Sequence, residues 1–521
     1  MKIFMRKIIS IAILCAVAVS AIAVPARREG IVRTSSDGTE KTVFQYGDET
    51  FHYITDENGV WLDEETLEPL SEEVKSERLK VKGQSRIAKA RRAKEDTGTD
   101  RLLAPRGAVI LVSYSDKAFG QSNEDMTEWA MGDEYTYNGA TGSIHQYFYD
   151  QSWGQYDMHI DVYGPVTLSK EASYYGKNDW SGNDQHADEM VVEACRLAHD
   201  SCGADFSQYD SDEDGKVDWV VILYAGKGEA DGGAANTIWP HQYELSYTGK
   251  AFQLDGKTVD HYCCLNEIDG SSSERCGIGT FCHEFSHVMG LPDFYSTDQG
   301  SHRTLGSWDI MDYGPYNNGG NTPPNYSAYE RWFMGWIEPT LLNTDCSVTL
   351  PPLQDSKAAC LITESGQGIS NILLPLPNTF FLIENRQQEG WDTYLKGSGM
   401  MLTKVQWNKS KWANNTVNNT STKLGVDIIE AKANTSSYLD KATDLYPKGN
   451  TECLKTEPFF LYNIAMSNRI ITFDVNEGGN MIVLEVESVQ HSELSVRKVI
   501  ENGQVIIIRE GQKFDILGNR L

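Results

Sequence analysis

Positive charge is scarce in this chain. Lys and Arg number 46 against 74 Asp and Glu, leaving a formal net charge of −28 over 521 residues. That balance argues against nucleic acid and against an anionic membrane surface as partners. Long apolar runs are missing too, apart from IISIAILCAVAVSAIA near the N-terminus. This run follows the basic MKIFMRK and ends in Ala21-Ile22-Ala23. It is short, and its small-residue end marks a secretory signal peptide, residues 1–23, removed on export. The expected location is secreted or at the cell surface, with no integral membrane segment after signal cleavage.

Cysteine is absent between Ala23 and Pro105, which excludes a thiolate of that segment as a metal-blocking latch. Beyond it stand nine cysteines, an odd number, so at least one is free or pairs outside the chain. Four of them, Cys263, Cys264, Cys276 and Cys282, crowd together ahead of one helical motif. A disulfide bracing that helix and a set of buried free thiols are both open readings.

A chain of this length divides into about three folding units. Residues 24–85 are polar, with short alternating runs such as TVFQYGDETFHYIT, and read as a small β-rich unit. SRIAKARRAKEDTGTDRLLAPRG follows as a basic, exposed linker. Arg86, Arg91, Arg92 and Arg101 offer cuts to a trypsin-like activating protease, so residues 24–104 read as a propeptide with its linker. Strands at 107–116 and 217–226 and helical spacing at 186–200 then predict a mixed helix–strand unit over 105–340. Strand-and-turn texture continues over 341–485, a β-sandwich-like domain, with an Asn/Thr-rich loop at 414–422. A hairpin tail, turning at Asn502-Gly503, ends the chain over 486–521 and is a candidate sorting signal.

A third histidine is lacking where chemistry would want one. FCHEFSHVMGLPDFY, residues 281–295, places His283 and His287 one helical turn apart with Glu284 between them. Chance would produce roughly 0.02 such H-E-x-x-H matches in a chain of this composition. A catalytic zinc site needs three protein ligands. Gly290 can end the helix abruptly, and Asp293, after Pro292, can then reach back to the ion. With Asp293 in place of a third histidine, the site carries about one unit less positive charge. Glu284 is then the general base that takes a proton from a zinc-activated water and passes it to the leaving amine. GSWDIMDYG, residues 306–314, places Met311 in a Gly-bounded turn as a soft floor beneath the metal, the Met-turn of metzincins. Tyr313 is either an oxyanion donor or a surface tyrosine.

These motifs resemble the immune inhibitor A family of secreted zinc metalloproteases. The likeness rests on HEFSHVMGLPD, SWDIMDYG, GSIHQYFYDQSWGQ, TIWPH and SAYERWFMGW, and covers most of 105–340. It implies an α+β metzincin-like protease domain, a β-rich propeptide, an accessory β-domain, bound calcium and endopeptidase activity on proteins or peptides. By position it implies His283, His287 and Asp293 as zinc ligands and Glu284 as catalytic. Tyr313 departs from the family's pattern, so the resemblance assigns it no role.

Calcium is also expected from spacing. Asp210, Asp212, Asp214, Gly215 and Asp218 occupy positions 1, 3, 5, 6 and 9 of an EF-hand-type loop, although Val221 stands where the closing Glu belongs. Two other readings compete with a secreted zinc endopeptidase: a surface adhesin on a protease-like fold, and a zinc hydrolase of a non-peptide bond.

Overall fold

The computed structural model describes residues 24–87 and 106–484, except short gaps at 28, 36, 49–50, 180–182, 299–301, 435–439 and 455–458, together with three strands between 497 and 514. The predicted signal peptide, most of the basic linker and the Asn502-Gly503 turn lie outside the described residues.

Strands Ile31–Thr34, Glu40–Asp48, Phe51–Thr55 and Trp61–Leu62 form an antiparallel meander, as the alternation of the first unit predicts. Glu57-Asn58-Gly59 forms a turn: Asp56 accepts hydrogen bonds from the amides of Asn58 and Val60, and Gly59 takes a φ of 76°. Among the described residues, only Ile31, Val43, Ile54, Leu62 and Leu67 make up its own core. So small a core holds poorly alone, and the unit is docked through Gln45 onto the Glu229 carbonyl at 2.9 Å. A helix, Glu72–Ile87, follows the meander, so the predicted linker begins inside a helix.

Five strands form the central sheet, in the order His159–Thr167, Arg106–Ser113, Val220–Lys227, His261–Ile268 and His241–Glu244. The first four run parallel and the last is an antiparallel edge. Parallel strands are covered on both faces and so read as unbroken apolar runs. Ala108–Val112 are accordingly all buried. Helices Asn123–Met131, Ala187–Cys202 and Gly279–Val288 supply the cover, and the last two match helices read from the sequence.

The C-terminal strands form two sheets, one of five strands from Thr340–Leu341 to Val426–Ile428 and one of four around Cys346–Leu350. Side-chain alternation shows how they stack. Cys360, Ile362, Phe381, Ile383, Met400 and Leu402 face the four-stranded sheet across a shared core. Leu361, Phe380, Leu382, Met401 and Val405 face the other way and join the core of the central unit. The five-stranded sheet is thus a middle layer, not the outside of a separate sandwich. Beneath helix Ala328–Phe333 a buried Arg386 binds both oxygens of Asp392 at 2.7 Å and Glu384 at 3.2 Å, and also donates to the Asn325 carbonyl. Glu384 and Asp392 are therefore structural. Strands Arg497–Glu501, Gln504–Arg509 and Gln512–Phe514 extend the expected hairpin to three strands.

All nine described cysteines are free thiols, so no disulfide braces the helix. Burial pushes the thiols of Cys263, Cys264 and Cys282 well above their ordinary range, which keeps them protonated and inert. No helix among the described residues is long and apolar enough to cross a membrane.

Candidate metal centre

The helix Gly279–Val288 carries His283 and His287 four residues apart, both fully buried. Its first residue must be glycine, because a Cβ there would meet the Pro315 carbonyl oxygen at 2.0 Å. At its far end Gly290 takes a φ of 102°, and the Leu291 amide closes back on the Ser286 carbonyl at 3.0 Å. This is the abrupt stop that the sequence predicts. The chain then turns Asp293 back toward the two rings, and the Phe294 amide ties the loop to the Met311 carbonyl at 2.8 Å.

The two imidazoles have assigned tautomers. His283 Nδ1 lies 2.7 Å from the Ile310 carbonyl oxygen and His287 Nδ1 lies 2.7 Å from that of Leu291. A carbonyl only accepts, so each Nδ1 carries the proton and each Nε2 presents a bare lone pair. Those two Nε2 atoms stand 3.1 Å apart, and each is 3.2 Å from Asp293 Oδ1. Three acceptor atoms therefore converge in a buried space, and Asp293 Oδ1 has no hydrogen-bond donor. Such an arrangement repels itself unless a cation sits among them. A tetrahedral zinc with bonds of about 2.0–2.1 Å sets its ligand atoms about 3.3 Å apart, which this triangle nearly matches. Burial pushes the pKa of His287 down to about 4 in spite of Asp293. The donor set is thus two neutral rings and one carboxylate.

Glu284, also fully buried, accepts at Oε1 from the Val24 backbone nitrogen, 2.7 Å away. Residues 24–27 run through the cleft from that point. Trp239 Nε1 donates to the Val24 carbonyl at 3.3 Å, and the Tyr316 hydroxyl donates to that of Pro25 at 2.6 Å. Arg27 pairs with Asp231 at 3.1 Å and with Asp269 at 3.0 Å. The N-terminal segment therefore fills the space in front of Glu284.

One participant was not legible in the sequence. Asn415, in the Asn/Thr-rich loop, accepts from the Asp293 amide at 2.7 Å and donates its own amide to Asp293 Oδ2. Asn418 donates to the Phe294 carbonyl, and Asn419 accepts from the Thr297 amide. A loop of the C-terminal part thus grips the stretch that carries the third ligand. The only sequence signal was the density of Asn in NNTVNNT, which says nothing about what the amides bind.

Met311 is fully buried next to Ile310, whose carbonyl holds His283. Tyr313 is half-buried with its ring against Tyr295, 6.4 Å between centroids. In the acidic loop Asp210, Asp212 and Asp218 bring their carboxylates within reach of one ion, and Gly215 makes the expected turn at a φ of 87°. Asp214 does not join them; it accepts from the Lys216 amide at 2.8 Å instead. One Asp210 oxygen is taken by Lys257 at 2.5 Å, while the other, Oδ1, is buried with no partner. His145, His241 and His302 bind Asp157, the Trp239 carbonyl and the Asn418 carbonyl, and none joins the centre.

Residues 113–337 match the model of the immune inhibitor A peptidase M6 catalytic domain. Over these residues the chain is similar to that metallopeptidase family. The M6 domain holds His283, Glu284, His287, Asp293 and Met311, whereas Val24 and Asn415 reach the centre from outside it. Among relatives, the pre-pro-metalloprotease PrtV of Vibrio cholerae is 29% identical over 231 residues, 38% of this chain and 24% of that protein. Immune inhibitor A of Bacillus thuringiensis is 28% identical over 222 residues, 36% of this chain and 31% of its own length. The chain therefore covers less than a third of either relative.

Proposed function

We propose that the chain is an exported, zinc-dependent endopeptidase of metzincin-like fold, made as a zymogen. The observation that carries this is the convergence of His283 Nε2, His287 Nε2 and Asp293 Oδ1 with no donor between them. Zinc held there would act as a Lewis acid toward water and the peptide carbonyl. The chain's own groups do the rest. The carbonyls of Ile310 and Leu291 keep both rings neutral and aimed. Glu284 accepts a proton from the attacking water and delivers it to the leaving amine. Its burial keeps bulk water from competing for that proton. Tyr313 stands as a candidate donor to the oxyanion. The edge strand His241–Glu244 offers backbone groups to an extended substrate.

Residues 24–27, lying across Glu284, support the propeptide reading, with activation by a protease that cuts the basic linker. Asp210, Asp212 and Asp218 form a structural calcium site in which Lys257 yields its place on Asp210. Export and release from the cell follow the N-terminal signal.

The test is hydrolysis of casein by the full chain after trypsin has cut its linker, beside Glu284→Gln and a sample stripped with a zinc-selective chelator. Activity that disappears in both controls, and returns with zinc in the second, is the expected result. A folded chain that binds one zinc yet cleaves nothing would sink the endopeptidase reading and favour a binding protein or a non-peptide hydrolase.

A further inference from the structure

Arg27 occupies a pocket whose two carboxylates are also held by their own loops. Asp231 fixes one carboxylate oxygen on the Gly270 amide at 2.7 Å, and its other oxygen, Oδ1, faces Arg27 with no hydrogen bond from the surrounding loops. Asp269 behaves alike. Its Oδ1 accepts from the amides and hydroxyls of Ser271 and Ser272, at 2.6–3.0 Å, and its Oδ2 faces Arg27. The Tyr316 ring closes the pocket, with the guanidinium 5.1 Å from its centroid. The two turns meet so tightly that a Cβ on Gly270 would fall 1.2 Å from the Asp231 carbonyl oxygen, so the carboxylates are held by backbone, not by their occupant. Both aspartates are buried, at 7% and 6% exposure. Burial and Asp269 push the Asp231 carboxyl up to about 7 even with Arg27 present, so the pair is short of positive charge.

The way to this pocket starts at the catalytic base. Val24 N sits on Glu284 Oε1, where the amine released by peptide hydrolysis would be. From there the M6 domain holds the segment by its backbone: Trp239 and Tyr316 bind the first two carbonyls, and the Arg27 amide donates to the Ala230 carbonyl at 3.1 Å. Main-chain contacts of this kind accept any peptide. The acidic pocket is where the side chain of the fourth residue is read.

We propose that Asp231 and Asp269, roofed by Tyr316, form a subsite for an arginine or lysine side chain four residues along on the leaving-amine side of the scissile bond, and that Arg27 fills it in the zymogen. This rests on the endopeptidase reading for its place in a reaction, but its occupancy can be measured without hydrolysis. The probe is Val-Pro-Ala-Arg amide, titrated calorimetrically into the full chain carrying Arg27→Glu, whose own segment is repelled from the pocket; Arg27→Ala serves if that variant does not fold. Charge-assisted hydrogen bonds to two carboxylates predict binding about 10- to 100-fold tighter than for Val-Pro-Ala-Ala amide. Adding Asp269→Asn should remove most of that difference. Equal binding of the two peptides, or none of either, overturns the proposal. Cleavage profiles of the trypsin-cut full chain on a peptide library then separate the two readings. Basic residues at the fourth position after the cut support both. Hydrolysis without that preference refutes the subsite alone, and selective binding without hydrolysis refutes the peptidase alone.

Discussion

Asn415 offers the sharpest test of how the metal centre is held. Its side chain satisfies both the amide and the second carboxylate oxygen of Asp293, which is itself fully buried. Asn415 has a φ of 51°, so Asn415→Gly removes the side chain without adding backbone strain. One lost bond is to an ionised acceptor, worth roughly 1.5–3 kcal/mol, and the other is an ordinary bond of about 1 kcal/mol. Part of that loss appears as stability. The remainder appears as freedom of the carboxylate to swing away from the rings, and removing such outer partners commonly costs about 10- to 100-fold in metal affinity. Competition with a chromophoric zinc chelator should therefore show a weaker site by that factor. The zinc-dependent rise in Tm should shrink with it, since metal stabilises in proportion to the logarithm of its affinity. Asn415→Asp should do worse, because it places an acceptor against the Asp293 carboxylate. If Asn415→Gly lowers Tm but leaves zinc affinity unchanged, the loop is only a strut and the reasoning fails.

Two other outcomes follow from charged groups away from the zinc ligands. His52 of the N-terminal unit is buried 3.1 Å from Glu229, and although burial opposes its charge, Glu229 and Glu64 raise its pKa to about 9. A raised pKa means that the protonated ring stabilises docking, by on the order of 3 kcal/mol below pH 6.5, and that this is lost as pH climbs through about 9. After trypsin cuts the linker, the N-terminal fragment should rebind roughly 50- to 100-fold more weakly near pH 10 than at pH 7 on gel filtration, while His52→Gln binds weakly with much less pH dependence. Retention by the native chain that does not change between those values would count against the assignment. In the acidic loop, burial together with Asp212 and Asp210 raises Asp218 to about 6, which signals carboxylates short of a cation. Millimolar calcium should therefore raise Tm, and Asp212→Asn should abolish that rise; equal Tm with calcium and with chelator would remove the site.

Local chemistry was readable before any coordinates. The His283–His287 spacing, the stop at Gly290 and the turn at Gly215 depend on neighbours a few residues away, and each has the expected geometry. Asp214 stands apart from the other three carboxylates because EF-hand spacing assumes a loop that continues into a helix. Here a strand follows, and Asp214 Oδ1 accepts from the Lys216 amide. The cysteine cluster left a disulfide and free thiols both open, because closeness in sequence does not by itself bring thiols together. Cys263 and Cys264 are adjacent residues of one strand, and Cys282 lies on a helix, all three buried.

The sequence by itself determined the donor types, the base between the two histidines and the order of helices and strands around them, because these are matters of periodicity and short-range backbone freedom. Only the tertiary structure decided that Asn415, 122 residues beyond Asp293, would aim the third ligand. It likewise decided that Val24, 260 residues before Glu284, would lie against the base. A contact across such a distance leaves no pattern in composition or spacing. It is set by which layers pack together, and here the five-stranded middle sheet brings the Asn loop down onto the metal-binding turn.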